Sequence, residues 1–296
     1  MTPDAGRQWT GLVVVDKEAG WTSHDVVARV RKLFGQRRVG HAGTLDPDAT
    51  GVLLVGVGRA TRLLRFLTAL EKSYTGEVVL GTATHSLDAS GEVVGRWDMS
   101  SVTLDQVRAA AADLTGEIEQ VPPMVSALKV EGRRLHALAR EGVEVERAPR
   151  PVTVHRFEVS PAAEPGVFAL EVTCSSGTYV RSLAADLGTA LGGGAHLRNL
   201  RRTAVGSFTE AEARPLSDLS TDDLLTPGEA LRDLEPVGIT EEMARSVSHG
   251  LPLDRVPLGA TGPGPFAVVD GGGRLLAVYE ATETDRIRPA VVLSAH

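Results

Sequence analysis

The sequence predicts an α+β protein in which a mixed, mainly antiparallel β-sheet with flanking helices precedes a small C-terminal β module. Apolar runs of strand length alternate along the chain with segments of helical periodicity. Two alternating segments, 152–159 and 167–174, are joined by a short stretch with Pro and Gly, which is typical of paired antiparallel strands. After about residue 210 the chain becomes acidic and then rich in glycine turns between short strands. We therefore expect a domain boundary between residues 235 and 236.

The first predicted element is a buried strand. Residues 11–15 form a continuous apolar run, and a turn at 16–20 follows it. Thr22 or Ser23 can cap the next helix, whose apolar residues recur at helical spacing as far as Phe34. The pattern then predicts strands at 51–57 and 73–80 and, between them, a helix at 61–70 with its arginines outward.

Two further helices are predicted in the second half of the chain. One covers 104–114 and is ended by Gly116, and the other covers 178–191 with Arg181 in its first turn. A cation in the first turn opposes the helix dipole, which indicates a carboxylate or phosphate partner. The remaining segments are a polar, turn-rich stretch at 84–100, an acidic linker with short helical pieces at 210–235 and a hairpin turn at 271–273.

Length and composition restrict the class of protein. At 296 residues the chain can form one large and one small domain. The single cysteine, Cys174, excludes an intramolecular disulfide and is interpreted as a core residue in a reducing compartment. No apolar run near the start is long enough to span a membrane or to form a signal peptide, so we expect a cytoplasmic protein.

The net charge of -7 is unevenly distributed. From Glu210 onward there are 15 acidic and 7 basic residues, against 23 acidic and 24 basic before it. Local basic clusters in the first two-thirds can therefore still bind a polyanion, although a solvated helix face is the alternative. The clusters are Arg29, Arg31, Lys32, Arg37 and Arg38 in a stretch without acids, then Arg59, Arg62 and Arg65, and later Arg198, Arg201 and Arg202.

The loop GHAGTLDPDATG at 40–51 packs turn-forming residues around Asp46. Its three glycines allow positive φ and close approach by another molecule, and Pro47 biases Asp46 toward extended backbone. The residues alone leave three interpretations open: an ordinary Asp-containing turn, the Asp-x-Asp-x-Thr nucleophile loop of haloacid-dehalogenase-type phosphatases, and part of a calcium loop. The second lacks a preceding buried strand, and the third lacks a bidentate Glu further on.

Four motifs follow one another along the chain: GWTSHDVV at 20–27, RVGHAGTLDPDATG at 38–51, PPMVSALK at 122–129 and CSSGTYVR at 174–181. Together and in this order they resemble the motifs of bacterial tRNA pseudouridine(55) synthases of the TruB type. Asp48 departs from the pattern, since the family usually has an apolar residue there. The resemblance implies a catalytic domain of pseudouridine-synthase type over 1–235 and a small PUA-like RNA-binding module over 236–296.

The resemblance also implies which residues form the site. Asp46 is the expected nucleophile, and Arg181 the cation that keeps Asp46 ionised in an apolar site. Tyr74 is expected to lie against the uracil ring and to assist catalysis, and His41 to help to displace the target base from its stack. The other expected substrate-binding residues are Tyr179 and Leu200 in the base pocket, and Arg31, Arg37, Arg38 and Lys129 on the RNA.

The reaction implied is the isomerisation of a T-loop uridine of tRNA to pseudouridine. Substrate and product have the same composition, so we expect no cofactor and no metal. Whether Asp46 attacks the sugar C1′ or the uracil C6 stays open at this point. The expected partner is tRNA alone, bound by a cytoplasmic monomer without a membrane or an obligate protein partner. Two other classes compete: a magnesium-dependent phosphatase that uses Asp46 and Asp48, and a non-catalytic RNA-binding protein or RNA-folding chaperone.

Overall fold

The computed structural model of this protein describes residues 8–124 and 145–293, and between them the backbone of residues 129–130 and 133–134. The strands are β1 (Gly11–Lys17), β2 (Val39–Ala42), β3 (Thr50–Val57), β4 (Lys72–Leu80), β5 (Thr82–Thr84), β6 (Val93–Arg96), β7 (Gly116–Gln120), β8 (Lys129–Val130), β9 (Arg133–Arg134), β10 (Arg150–Pro161), β11 (Val167–Cys174), β12 (Ala195–Val205), β13 (Phe208–Thr209), β14 (Arg214–Pro215), β15 (Glu235–Gly238), β16 (Leu253–Asp254), β17 (Phe266–Val269), β18 (Leu275–Ala281) and β19 (Arg286–Val292). The helices are α1 (Ser23–Phe34), α2 (Leu64–Ala69), α3 (Leu104–Asp113), α4 (Val180–Ala190), α5 (Pro227–Ala230) and α6 (Glu241–Ser248), with 3₁₀ helices at Gly58–Arg62, Thr221–Asp223 and Val256–Leu258.

Ten of the described strands form one large sheet. Their order is β14-β1-β3-β12-β4-β11-β10-β7, with β2 paired to β3 and β13 paired to β12. The pairs β1/β14 and β3/β12 are parallel, and the other pairs of this sheet are antiparallel. The mixed, mainly antiparallel sheet and the predicted pairing of β10 with β11 are therefore confirmed.

Strand β1 is covered on both faces. Val13 and Val15 belong to an apolar core that also contains the inward sides of α1, α3 and α4. Leu12 and Val14 belong to a second core on the opposite side. Successive residues of a strand point to opposite faces, so a strand that is buried on both faces is apolar throughout. This is why residues 11–15 form a continuous apolar run and do not alternate.

The C-terminal strands form a five-stranded sheet in the order β15-β17-β18-β19-β16, which confirms the small β module. Part of this sheet has its own core, which includes Phe266 and Tyr279. Leu275 and Val278 instead belong to the second core, together with Leu12 of β1. The module is thus joined to the large sheet through shared apolar packing. The division between residues 235 and 236 stays a prediction.

The predicted helix at 61–70 is divided into a 3₁₀ helix and α2. Its two arginines, Arg62 and Arg65, are exposed as predicted, but both contact the C-terminal sheet. Arg62 Nη1 donates to the carbonyl oxygen of Val292 at 2.7 Å, and Arg65 Nη2 lies 3.1 Å from Glu280 Oε1. These cations contribute to the attachment of the module, so they are not a free surface for RNA.

The acidic segment 210–235 is not a linker, and that prediction is wrong. Strand β14 pairs in parallel with β1, where Val15 lies opposite Arg214. Further along, Leu12 and Leu225 exchange backbone hydrogen bonds of 3.0 and 2.8 Å. These contacts are made by backbone N–H and C=O groups, which do not depend on the type of side chain. The acidic composition of the segment therefore could not reveal them. The predicted short helical pieces are present as α5 and a 3₁₀ helix.

The other predicted helices are confirmed within two residues at each end. Helix α1 begins with a capping box, in which Thr22 Oγ1 accepts from the Asp25 backbone N–H at 3.1 Å and Asp25 Oδ2 accepts from the Thr22 backbone N–H at 2.9 Å. Cys174 is buried in the first core, as predicted. No helix in the described ranges is both long enough and apolar enough to cross a bilayer.

Candidate active site

The loop between β2 and β3 is held on both sides of Asp46. On one side, Ser23 Oγ donates to the Leu45 carbonyl at 3.1 Å and accepts from the Leu45 N–H at 2.9 Å. On the other side, the carbonyl oxygen of Pro47 accepts from Lys17 Nζ and from the backbone N–H of Gly20, both at 2.9 Å. The end of β1 and the start of α1 therefore fix the backbone that carries the carboxylate.

Two glycines permit this loop to lie against β12. Gly43 has φ +87° and Gly51 has φ +99°, values that favour glycine. A Cβ atom at Gly51 would collide with the backbone carbonyl of Arg202 in the neighbouring strand. The predicted positive φ is thus present at these two glycines, and Gly51 also permits close approach of β12. Close approach by another molecule stays a prediction.

Arg181 is the cation that meets Asp46. Its Nη2 lies 3.1 Å from Asp46 Oδ2, and only 5 % of the residue is exposed. The pairing explains the cation in the first turn of α4, as the sequence predicted. Arg181 also has partners that the sequence did not predict: Nη1 donates to Asp88 Oδ2 and to the carbonyl oxygen of Ser86, both at 3.0 Å. One buried guanidinium is therefore shared by two carboxylates.

Burial raises the pKa of Asp46 above the ordinary value, and Asp88 and Asp48 add to the rise. Arg181 and Lys17 oppose it. The Asp46 side chain still has 42 % of its surface accessible, because it lies on the floor of a cavity, where water can touch it while protein surrounds it. The carboxylate can consequently be reached by a substrate and is more basic than a surface aspartate.

Asp88 lies in the turn after β5 and was not singled out from the sequence. Its Oδ1 accepts from Ser86 Oγ at 2.7 Å, from Ser90 Oγ at 2.6 Å and from the Ser90 N–H at 3.1 Å. Burial by itself would raise the pKa of Asp88, but these hydrogen bonds and Arg181 outweigh it, so that the pKa lies below the ordinary value. The carboxylate therefore stays charged next to Arg181. The Ser-x-Asp-x-Ser pattern at 86–90 is the sequence signal that could have indicated a structured turn.

A cavity of about 280 Å³ opens above Asp46. This is close to the lower end of the range of about 300–1,000 Å³ that is usual for small-molecule sites. Asp46, Tyr74, Tyr179, Arg181 and Leu200 all line it, so the structure brings together five of the residues that the sequence predicted.

Tyr74 in β4 is 8 % exposed. Burial raises the pKa of its phenol, and the neighbouring cation Arg202 partly offsets the rise. The phenol is therefore protonated at neutral pH. Arg202 was expected in a surface cluster but is only 1 % exposed, and it donates to the carbonyl oxygens of Val52 at 2.7 Å and Gly43 at 3.2 Å.

Tyr179 is the residue before α4, and a buried glutamine fixes its backbone. Gln120 Oε1 accepts from the Tyr179 N–H at 2.7 Å, and Gln120 Nε2 donates to the Tyr179 carbonyl at 3.1 Å. Leu200 reaches the cavity through a bulge in β12, where Asn199 has φ +55°. The bulge interrupts the two-residue alternation, and the sequence accordingly gave no strand prediction for 195–205.

His41 lies in β2, outside the lining of the cavity. Its ring meets the ring of His24 edge to face, with centroids 5.6 Å apart. Burial, with His24 and Arg202 nearby, lowers the pKa of His41 to about 4. The imidazole is therefore neutral at pH 7, and any action on a base depends on its shape and hydrogen bonding.

The expected RNA-contacting residues Arg31, Arg37 and Arg38 are exposed and lie outside the cavity. Arg31 Nη2 donates to the Val39 carbonyl at 3.1 Å, and Arg38 Nε donates to Thr61 Oγ1 at 2.8 Å. Lys129 belongs to the short strand β8, and its side chain lies outside the described residues.

The third basic cluster of the sequence is not a free cationic surface. Arg198 pairs with Glu77 at 2.6 Å and with Glu164 at 2.7 Å. Arg201 pairs with Asp16 at 2.9 Å and with Glu210 at 3.0 Å. Acids distant in sequence thus neutralise two members of the cluster, and the third, Arg202, is buried.

Three family models match successive parts of the chain. They are described as TruB family pseudouridylate synthase (N terminal domain) over residues 31–180, tRNA pseudouridylate synthase B C-terminal domain over 181–234, and tRNA Pseudouridine synthase II, C terminal, over 235–294. The chain is 49 % identical to a tRNA pseudouridine synthase B of Rhodococcus jostii (strain RHA1), over 98 % of each chain. It is 48 % identical to the protein of the same name from Streptomyces coelicolor (strain ATCC BAA-471 / A3(2) / M145), over 94 % of each chain.

Two solved structures are similar over most of the chain. One is a Cbf5-Nop10-Gar1 complex, with a TM-score of 0.73 and 29 % identity over 93 % of this chain and 79 % of the other. The second is an H/ACA RNP bound to a substrate RNA containing 2′-deoxyuridine, with a TM-score of 0.72 and 26 % identity over 96 % and 85 %.

Proposed function

The chain belongs to the TruB family of pseudouridylate synthases, and we propose that it isomerises a uridine in the T-loop of tRNA to pseudouridine with Asp46 as the nucleophile. The observation that carries the proposal is the cavity that joins Asp46 and Arg181 to Tyr74, Tyr179 and Leu200. A reactive carboxylate and its cation lie beside aromatic and apolar side chains that can hold a detached base.

The bond changes of the reaction are balanced without another reactant. The N1–C1′ bond breaks, the C5–C1′ bond forms, and one proton moves from C5 to N1. No electron is gained or lost overall, so side chains that bind, polarise and transfer a proton are sufficient. This supports a reaction without a cofactor or a metal.

Asp46 fits the role of nucleophile by position and by charge. Its backbone is fixed at Leu45 and Pro47, so the carboxylate loses little freedom in the reaction. Burial makes the carboxylate more basic, and the contact with Arg181 opposes the rise in pKa and favours the ionised form. A basic but ionised carboxylate is what a nucleophile at neutral pH requires.

The aromatic residues fit the retention of the base. Tyr74 presents a phenol whose raised pKa keeps it protonated, which favours stacking on uracil over action as a free base. Gln120 fixes the backbone of Tyr179 at the start of α4, and the bulge of β12 directs Leu200 into the same cavity. Together they can hold uracil while it turns between the N1 and C5 attachments.

RNA binding must also supply the free energy to extract the base. Extrusion costs a few kcal/mol, of which stacking on an aromatic ring returns about 1–3 kcal/mol per base. Exposed Arg31, Arg37 and Arg38 are available for phosphate contacts, and neutral His41 can occupy space that the base vacates. The relatives are named as enzymes of tRNA, which supports tRNA as the partner. We further propose that the enzyme acts as a cytoplasmic monomer.

The direct test is incubation with unmodified tRNA and chemical mapping of pseudouridine, with EDTA present. We expect modification of one T-loop uridine and no effect of the chelator; magnesium-dependent release of phosphate without pseudouridine would favour the phosphatase. Asp46→Asn should abolish turnover and leave tRNA affinity within severalfold, because the amide has nearly the same shape. Asp48→Leu is the matched control on an exposed neighbour and should retain activity. Substantial pseudouridine from Asp46→Asn, or an equal loss in both variants, would contradict the assignment of Asp46.

A further inference from the structure

Lys72 is a buried cation in the cavity wall that the reaction as described does not use. It is the first residue of β4 and is 6 % exposed, yet it lines the same cavity as Asp46. Residues two apart in a strand share a face, so Lys72 lies beside Tyr74, on whose ring the base would stack. The ammonium therefore borders the space assigned to uracil.

The hydrogen bonds of Lys72 leave one donor for a ligand. Its Nζ donates to the carbonyl oxygens of Thr68 at 2.9 Å and Leu70 at 2.6 Å, and an ammonium has three N–H donors. Lys17, the other buried lysine among the described residues, uses all three. Its acceptors are the carbonyl oxygens of Glu18, Trp21 and Pro47 at 2.9, 2.7 and 2.9 Å.

The positive charge around Lys72 also favours a hydrogen-bond acceptor of the ligand on the cavity side of its ammonium group. Its pKa is lowered to about 8, first by burial and then by the neighbouring Arg202, so that it is still mainly protonated at pH 7. Neither cation has a carboxylate within ion-pair distance in the described part of the chain. The thiol of Cys174 is close, but burial raises its pKa to about 11, and it remains neutral. Two buried cations beside an open cavity attract negative charge from the ligand.

We propose that Lys72 donates its third hydrogen bond to a carbonyl oxygen of the target uracil and, with Arg202 behind it, stabilises the negative charge that the base carries during isomerisation. If Asp46 attacks C1′, its Oδ–C1′ bond forms as the N1–C1′ bond breaks, and the electron pair of the broken bond remains on uracil, where it spreads over N1 and the carbonyl oxygens. C5 of the turned base then bonds to C1′ and displaces the Asp46 carboxylate, and the C5 proton moves to N1. If a nucleophile adds at C6 instead, the charge again reaches a carbonyl oxygen. The inference rests on the proposed function, and it adds an oxyanion-stabilising role to the site.

A base oxygen fits this place better than a phosphate does. The ammonium lies beside the tyrosine that contacts the base, and it is almost fully buried. The sugar–phosphate chain of a flipped nucleotide remains joined to the rest of the RNA outside the cavity. A planar uracil is neutral when it enters the cavity, so its entry to this depth does not bury a full charge, whereas the entry of a phosphate would.

The test compares Lys72→Met with the wild type on two T-arm RNAs, one with the target uridine and one abasic at that position. We expect the single-turnover rate on the uridine RNA to fall by about 10²–10³-fold, the usual effect of removing one oxyanion donor. Affinity for the abasic RNA, and its dependence on salt, should stay within about twofold of the wild type. A wild type that makes no pseudouridine would refute the proposed function itself, whereas wild-type activity with an unaffected Lys72→Met would refute only this inference.

Two controls separate the donor from structural support. Lys72→Gln keeps an N–H donor for the helix carbonyls without the charge, and it replaces Lys72→Met if the latter does not fold. Lys17→Met removes a buried ammonium whose three N–H groups are all bonded within the protein. It should lower the melting temperature and, because Lys17 holds the loop that carries Asp46, weaken binding of both RNAs. If the Lys72 variants weaken the binding of both RNAs equally, and the slope of log affinity against log salt falls by about 0.7–0.9, Lys72 contacts a phosphate and the inference is overturned.

Discussion

Removal of the Arg181 guanidinium should shift the pH dependence of catalysis to higher pH. Arg181 lies 3.1 Å from Asp46 and 3.0 Å from Asp88, so Arg181→Ala leaves two carboxylates near each other without their shared cation. Burial and Asp88 already raise the pKa of Asp46, and Arg181 is the largest opposing influence. The pKa of Asp46 must therefore rise further in the variant.

The size of the shift follows from the contact. An arginine in direct contact lowers the pKa of a carboxyl group by about 1–3 units, so its loss should raise the midpoint of the rate–pH profile by about that amount. Below both midpoints the ionised fraction of Asp46, and with it the rate, should fall about 10- to 1,000-fold. As the pH rises above the new midpoint, the loss of rate that comes from protonation of Asp46 should disappear. Only the loss of rate that comes from poorer positioning of Asp46 then remains.

Single-turnover rates over a range of pH, with saturating RNA, measure this effect. Arg181→Lys keeps a charge but cannot bridge two carboxylates as the planar fork does, so it should retain a small fraction of activity with a smaller shift. The double variant Arg181→Ala, Asp88→Asn removes the like charge as well, and its midpoint should return part of the way. Arg198→Ala, which removes a paired arginine outside the cavity, is the control and should leave the midpoint unchanged.

The reasoning would be refuted by a rate that falls equally at every pH in Arg181→Ala. In that case Arg181 would act by positioning or by contact with phosphate and not through the ionisation of Asp46. A double variant whose midpoint does not return at all would likewise show that the charge of Asp88 does not act on Asp46.

Two further predictions concern surfaces away from the cavity. Arg37→Ala and Arg38→Ala should each reduce the slope of log affinity against log salt by about 0.7–0.9 if they contact phosphates, and an unchanged slope in both would indicate a merely solvated face. A chain that ends at residue 235 should melt at a lower temperature than the full chain, because Leu275 and Val278 share a core with Leu12. The folded fraction should still form pseudouridine, and an unchanged melting temperature would show that the module is energetically independent.

Local features of the sequence were sufficient for some of the elements. The helical spacing of the apolar residues up to Phe34, with Thr22 or Ser23 as the cap, and the continuous apolar run of β1 depend on residues close together in the chain, and they predicted α1 and β1 correctly. Strand β12 was missed because the bulge at Asn199 breaks the alternation on which such predictions depend. The acidic segment before residue 235 was misinterpreted because its partner, β1, is recognised only through backbone pairing.

The sequence by itself determined the loop around Asp46 and indicated that the arginine at the start of α4 needed a negative partner. Only the tertiary structure decided which charges meet. Asp88 joins Arg181 from 93 residues away, and Arg201 is neutralised by Asp16 from 185 residues away. The same structure places Arg202 and Lys72 inside the cavity wall, where they act on the site and not on solvent. The physical reason is that the charge of a residue is written in the sequence, whereas its burial and its distance to other charges, which set its pKa and its partners, are properties of the packed chain.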